Sequence, residues 1–266
     1  MTNKIVVFDL DETLGYFMEL GMFWDALNAY IKDKQINEEI NQSLFNKMLD
    51  IFPEFLRPNI IDILNYIKQK KLTNHCNKLM IYTNNQGSIE WVNYIRKYFE
   101  EKINYQIFDQ IISAFKIRGK RVELCRTSHS KTHSDLIKCT KIPKNTQICF
   151  LDDLFHPNMT NENVYYINLK PYTHDLDFNE MITRLLNSDI LDTDPTYCKK
   201  FILDFMKQYH HILVTKTKDT QMIDQIISKK ILQHFQIFFK IKPICPNTNK
   251  TKRRDVFRKL NKTLKK

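Results

Sequence analysis

Four short apolar runs, each breaking off into polar residues able to do chemistry, constrain this chain more than any other feature. Ile5-Val6-Val7-Phe8 runs into Asp9-Leu10-Asp11-Glu12-Thr13, and Leu79-Met80-Ile81-Tyr82 into Thr83-Asn84-Asn85-Gln86-Gly87. Residues 147–151 run into Asp152-Asp153, and residues 164–167 into Asn168-Leu169-Lys170-Pro171. Runs of four or five β-branched and aromatic residues fit strands buried on both faces. Helical patterns at 58–71, 89–99 and 134–140 lie between them, and that alternation predicts an α/β fold, a parallel sheet with helices on both faces. Sites in open sheets of this kind form outside the carboxyl ends of the strands. Three segments far apart in sequence thus deliver carboxylates, a hydroxyl and amides to one edge.

Residues 15–56 are rich in Phe, Met, Trp and Leu. Phe23, Leu27 and Tyr30, then Phe45, Met48, Leu49 and Phe52, recur at helical spacing. They read as two amphipathic helices, either a small cap over the strand ends or a pair packed beside the sheet. Residues 195–246 read as a helical appendage, closed by Pro243 and Pro246, and 247–266 as a basic tail.

The chain has 41 Lys and Arg against 30 Asp and Glu, a net charge of +11. Residues 250–266 hold nine basic side chains and one acidic one, Asp255, so most of that excess sits in the tail and the body is close to neutral. The tail fits a nuclear-localisation signal or a nucleic-acid contact as well as a solvated end. The six cysteines, at 76, 125, 139, 149, 198 and 245, show neither a CxxC pair nor regular spacing, and read as reduced thiols. Four glycines in the whole chain argue against glycine-rich nucleotide loops. No run approaches the length of a membrane span and the N-terminal apolar run is too short for a signal peptide, so the expectation is an intracellular protein, cytoplasmic or nuclear, with no membrane partner.

Asp9 and Asp11 provide paired carboxylates after a buried strand, fit for nucleophilic and acid–base work once a cation offsets their repulsion. Asp152 and Asp153 offer hard oxygen ligands for Mg²⁺. A transferred phosphoryl group also needs hydroxyl, amide and cationic contacts, which Thr83, Asn84 and a lysine supply. Lys131, Lys138 and Lys120 all precede the third motif. Lys131 is preferred because Lys131-Thr132-His133-Ser134 leads directly into a helix.

Strand–DLDET, strand–TNN, lysine and strand–DD, in this order, resemble the haloacid dehalogenase (HAD) superfamily of phosphatases. DLDETL, FLRPNIIDIL (55–64) and FLDDLFHPNM (150–159) are similar to its FCP/NLI-interacting-factor-like branch. The resemblance spans roughly residues 1–190 and implies a HAD-like Rossmannoid domain with 15–56 as cap. It implies Asp9 as nucleophile, forming an aspartyl-phosphate, and Asp11 as general acid and base, its carbonyl helping to bind Mg²⁺. Thr13 would brace the loop, Thr83 hold a phosphate oxygen, Lys131 neutralise the phosphate and Asp9, and Asp152 with Asp153 bind the metal. The implied substrate is a phosphomonoester, a phosphoprotein first. Two departures bear on that substrate: the branch usually has a short hairpin where 15–56 reads as helical, and often an acid-Asn pair where this chain has Asp152-Asp153.

TNNQG is similar to the polynucleotide 3′-phosphatase branch, which makes a nucleic-acid end the competing substrate. A catalytically silent HAD-fold module that binds nucleic acid or protein is the non-enzyme alternative. Beyond the motifs, His156 reads as structural, with orienting a loop near the site as the alternative, His210 and His211 as surface or packing residues, and Trp24 and Trp91 as core aromatics.

Overall fold

The computed structural model describes residues 3–36 and 38–241. The basic tail and the two closing prolines lie outside the described residues.

Five strands, β1 (Lys4–Phe8), β2 (Lys78–Tyr82), β3 (Phe108–Ile112), and two named β6 (Gln147–Asp152) and β7 (Val164–Asn168) after the short hairpin β4 (Lys116–Ile117) and β5 (Lys120–Arg121), build the architecture. The five long ones form one parallel sheet in the order β3-β2-β1-β6-β7. The chain steps outward from β1 to β2 and β3, then returns to the far side of β1 with β6 and β7. Strand order therefore reverses between β1 and β6, the position where open α/β sheets form their crevice.

Successive strand residues point to opposite faces, and both faces are buried. Val6, Phe8, Leu79, Ile81, Cys149, Leu151, Tyr165 and Ile167 enter one core. Ile5, Val7, Met80, Tyr82, Ile148, Phe150, Val164 and Tyr166 enter the other. That double burial is why the strands read as unbroken apolar runs. β3, at the sheet edge, carries Asp109 and Gln110 within FDQII, which hides it from a search for such runs.

Helices α1 (Met18–Lys34), α2 (Gln42–Asp50), α3 (Ile60–Leu72), α4 (Ile89–Lys102), α6 (Phe178–Leu186), α7 (Pro195–Lys207) and α8 (Lys218–Lys240) contribute to the first core, while α5 (His133–Thr140) covers the second. α3 starts at Ile60 rather than at Pro58 because Asn59 takes a left-handed conformation, φ 57°. Caps set other helix starts: Thr132 accepts from the Asp135 amide before α5, and Ser88 from the Trp91 amide before α4.

The helical pair α1–α2 packs beside the sheet, with Phe23, Trp24, Leu27, Phe45, Met48 and Leu49 in the first core. The N-terminal half of α1 also walls a cleft that opens from the strand ends. α7 lies against α1 and α6, and α8 against α3 and β7, so their apolar faces belong to the same core as the sheet.

The expectation of reduced thiols throughout fails at one pair. Cys125 and Cys139 form a disulfide, because the loop after β5 doubles back on α5 and brings their Cα atoms to 5.1 Å. Cys76, Cys149 and Cys198 are free and buried. Among the described residues no helix is long and apolar enough to cross a membrane.

Candidate active site

All seven sequence-predicted site residues, Asp9, Asp11, Thr83, Asn84, Lys131, Asp152 and Asp153, line one pocket of about 200 Å³ at the carboxyl edge of the sheet. Strand pairing accounts for the convergence. Phe8 lies level with Ile81 and Leu151, so the residues that follow each strand emerge side by side. The Asp9 amide donates to the Leu151 carbonyl at 2.8 Å, extending the ladder one residue into the motif.

Lys131 is the cation of this pocket. Its Nζ donates to Asp9 Oδ1 and, at 2.7 Å, to Asp152 Oδ2, and its side chain is almost fully buried. Lys138 and Lys120 are exposed. Lys131 sits one residue before the α5 cap, so the capped helix aims the lysine back at the strand ends.

Burial shifts the four carboxyls differently. It raises Asp9 well above the ordinary carboxylate range, against the pull of Lys131. It raises Asp11 as well, opposed by the Asn85 amide, whose Nδ2 donates to Asp11 Oδ2 at 2.8 Å. Burial pushes Asp152 the same way, but Lys131 and His156 outweigh it and hold Asp152 below the usual range. Asp153 is raised by burial and by the neighbouring Asp152 charge, with Thr13 Oγ1 donating to it at 3.3 Å.

Carboxylate oxygens of Asp9, Asp152 and Asp153 lie within 4.8 Å of one another. Hard oxygens at such separations can hold a divalent cation. The Asp11 carboxylate stands outside that set and is held by the Asn85 amide.

The second strand end supplies donors. Thr83 Oγ1 accepts the Asn85 amide at 2.9 Å, which leaves its hydroxyl hydrogen available to a bound anion. Asn84 Oδ1 accepts from Arg126 Nη2 at 2.8 Å.

Sequence reasoning gave no site role to Arg126, Arg57 and Asn85, and set the structural reading of His156 first. Arg126, completely buried, also donates to the carbonyls of Thr83, Ser113 and His129 at 2.8–3.1 Å and so fixes the Thr83-Asn84 turn. Arg57 does the same for the first motif, donating to the carbonyls of Thr13, Glu12 and Lys170. Asn85 orients Asp11. His156, read as structural, lines the pocket with Nε2 3.3 Å from Asp152 Oδ2. The only signals for these were LRPN around Arg57, the second Asn of TNN, and the His-Pro after the last acidic pair; Arg126 had none.

A larger cleft of about 770 Å³ adjoins the pocket and shares Asp11, Glu12 and Asn85 with it. Tyr16, Phe17, Trp24, Trp91 and Tyr94 supply aromatic surface, while Asp25 and Glu90 add negative charge against Arg118, the one cation among the described residues that line it. Trp24 is a core residue and Trp91 half-buried, yet both contribute to this wall. Compared with known proteins, the chain matches no family model, no curated protein and no solved structure.

Proposed function

We propose that this chain is a Mg²⁺-dependent phosphatase of HAD type that hydrolyses a phosphomonoester, a phosphoprotein first, through an aspartyl-phosphate. The observation that carries the reading is Lys131 bridging Asp9 and Asp152 in a pocket where Asp11 is held separately by Asn85. The order of motifs and its resemblance to the superfamily give independent support.

Asp9 Oδ attacks phosphorus as the bond to the leaving oxygen breaks. Asp11, whose raised carboxyl is readily protonated, gives its proton to that oxygen. Water then attacks the phosphorus of the aspartyl-phosphate, Asp11 takes the water proton, and Asp9 is released with inorganic phosphate. Lys131 and the Thr83 hydroxyl balance the charge on the phosphoryl oxygens. Asp9, Asp152 and Asp153, with the Asp11 carbonyl, would hold Mg²⁺, which offsets phosphoryl charge when bound.

A phosphoprotein is favoured over a polynucleotide end by the cleft beside the pocket, where Glu12, Asp25 and Glu90 repel a polyanion. The convergence of the seven candidate residues on one pocket counts against the silent module. Purified protein with Mg²⁺ should hydrolyse a generic aryl phosphate, and Asp9→Asn should abolish turnover with its fold and melting temperature preserved. Full activity in that variant overturns the mechanism. Faster turnover of a phosphorylated oligonucleotide than of a phosphopeptide overturns the substrate class.

A further inference from the structure

The geometry points to a second metal site, a Zn²⁺ site formed by Glu19, Asp175 and His211 and separate from the catalytic pocket. Glu19 lies in the first turn of α1, Asp175 between β7 and α6, and His211 between α7 and α8. Glu19 is fully buried, and the side chains of Asp175 and His211 are 7% and 9% exposed.

Each carboxylate commits one oxygen to the backbone. Glu19 Oε2 accepts the Leu176 amide and Asp175 Oδ2 accepts the Val214 amide, both at 2.9 Å. The remaining oxygens, Glu19 Oε1 and Asp175 Oδ1, have no hydrogen-bond partner, and neither has His211 Nε2. These three atoms face one another. His211 Nε2 is 3.4 Å from Asp175 Oδ1 and 3.7 Å from Glu19 Oε1, and all three lie within 4.8 Å. The Tyr16 hydroxyl also donates a hydrogen bond to the Asp175 carboxylate.

His211 Nε2 stands at ion-pair distance from both oxygens, but no hydrogen bond joins the three atoms; buried polar atoms are ordinarily satisfied, and their convergence offers a place for a cation. Tetrahedral Zn²⁺ with bonds of about 2.0–2.1 Å sets neighbouring ligand atoms about 3.3–3.4 Å apart, close to the two distances involving the histidine. One imidazole with two carboxylates suits Zn²⁺ better than Mg²⁺, which prefers oxygens and retained water. The groups behind the ligands are in place: a backbone amide on each carboxylate, and Phe178 stacked on the His211 ring with centroids 5.8 Å apart. An ion there would tie α1, the β7–α6 connection and the α7–α8 loop together, three segments that no strand pairing joins.

The test uses full-length, chelator-stripped protein titrated with Zn²⁺ in saturating Mg²⁺, read by competition with a chromophoric chelator and by thermal melting. One equivalent should bind and raise the melting temperature. His211→Gln, a loop substitution that spares the buried Glu19, and Asp175→Asn should each weaken binding by more than the about 10–100-fold typical of losing a group behind a ligand. Asp152→Asn should leave binding unchanged. The site is overturned if no Zn²⁺ binds, if His211→Gln binds as wild type, or if binding vanishes in Asp152→Asn or on alkylation of the thiols. None of these results depends on phosphatase activity.

Discussion

Asp9 and Asp11 are two residues apart, yet their neighbours treat them differently. Burial raises both carboxyls, Asp9 to about 8; the charged Lys131 opposes it at Asp9 and the neutral Asn85 amide opposes it at Asp11, so a cation adjoins one carboxyl and an uncharged donor the other. If Asp11 is the general acid, Asp11→Asn lowers kcat by about 10²–10⁴-fold. The loss should be smaller for aryl phosphates whose leaving group is already stable as an anion; equal losses across a leaving-group series would remove Asp11 from that role. Asp152 carries a pH prediction. Its carboxyl lies below the usual range when folded, so it stabilises the fold above the unfolded value of about 4 and loses that contribution as pH falls through the folded one. Asp9, raised by burial, acts in the opposite sense. Asp152→Asn should therefore flatten the acid limb of the melting temperature against pH, and an acid limb as steep as wild type would show that Lys131 does not hold Asp152.

Gly15 shows how tightly the elements around the pocket are fitted. It bridges Asp11 on one side and Leu56 on the other, and the Tyr16 amide donates to the Phe55 carbonyl at 2.7 Å. A Cβ on Gly15 would stand 2.5 Å from the Phe55 oxygen and 2.6 Å from the Phe17 ring. Gly15→Ala must push the entry to α1 away from the turn before Arg57, at a cost of about 1–3 kcal/mol, and should raise KM because that entry also walls the cleft. An unchanged melting curve would mean the turn yields freely. The pattern of apolar residues reveals none of this, since it reports which face is buried and not how closely two turns approach. For the same reason β1, β2, β6 and β7 were legible as apolar runs, while β3 was hidden by Asp109 and Gln110. Lys131 was legible because its helix cap follows directly. Arg57 and Arg126 hold the motif loops through carbonyls that have no sequence signature, and the Cys125–Cys139 bond depends on a loop reversal that spacing does not encode. His211 finds its carboxylates 192 and 36 residues away, beyond any local pattern.

Across the whole molecule, one lysine joins the first strand to the last described helix. Lys4 Nζ donates to the carbonyls of Phe238 and Ile241 at 2.7 Å and of Phe239 at 3.2 Å. These carbonyls belong to the last turn of α8, where helical partners run out and the helix dipole favours a cation. Burial lowers the Lys4 ammonium below its ordinary value, so part of the gain is offset by desolvation. Lys4→Met keeps the apolar stem and removes all three bonds. A net loss of about 2 kcal/mol is expected from charged hydrogen bonds discounted for that desolvation, which corresponds to a fall in melting temperature of about 4–8 °C at this chain length. Amide exchange should quicken in the last turns of α8 before it does in the sheet. Asp9 sits at the opposite end of β1, about 16 Å away at the usual strand rise, so kcat well below the melting temperature should not change. A melting temperature equal to wild type would show that α8 is held by Phe235, Phe238 and Phe239 alone, and a loss of kcat would mean that the strand transmits disturbance at one end to the carboxylates at the other.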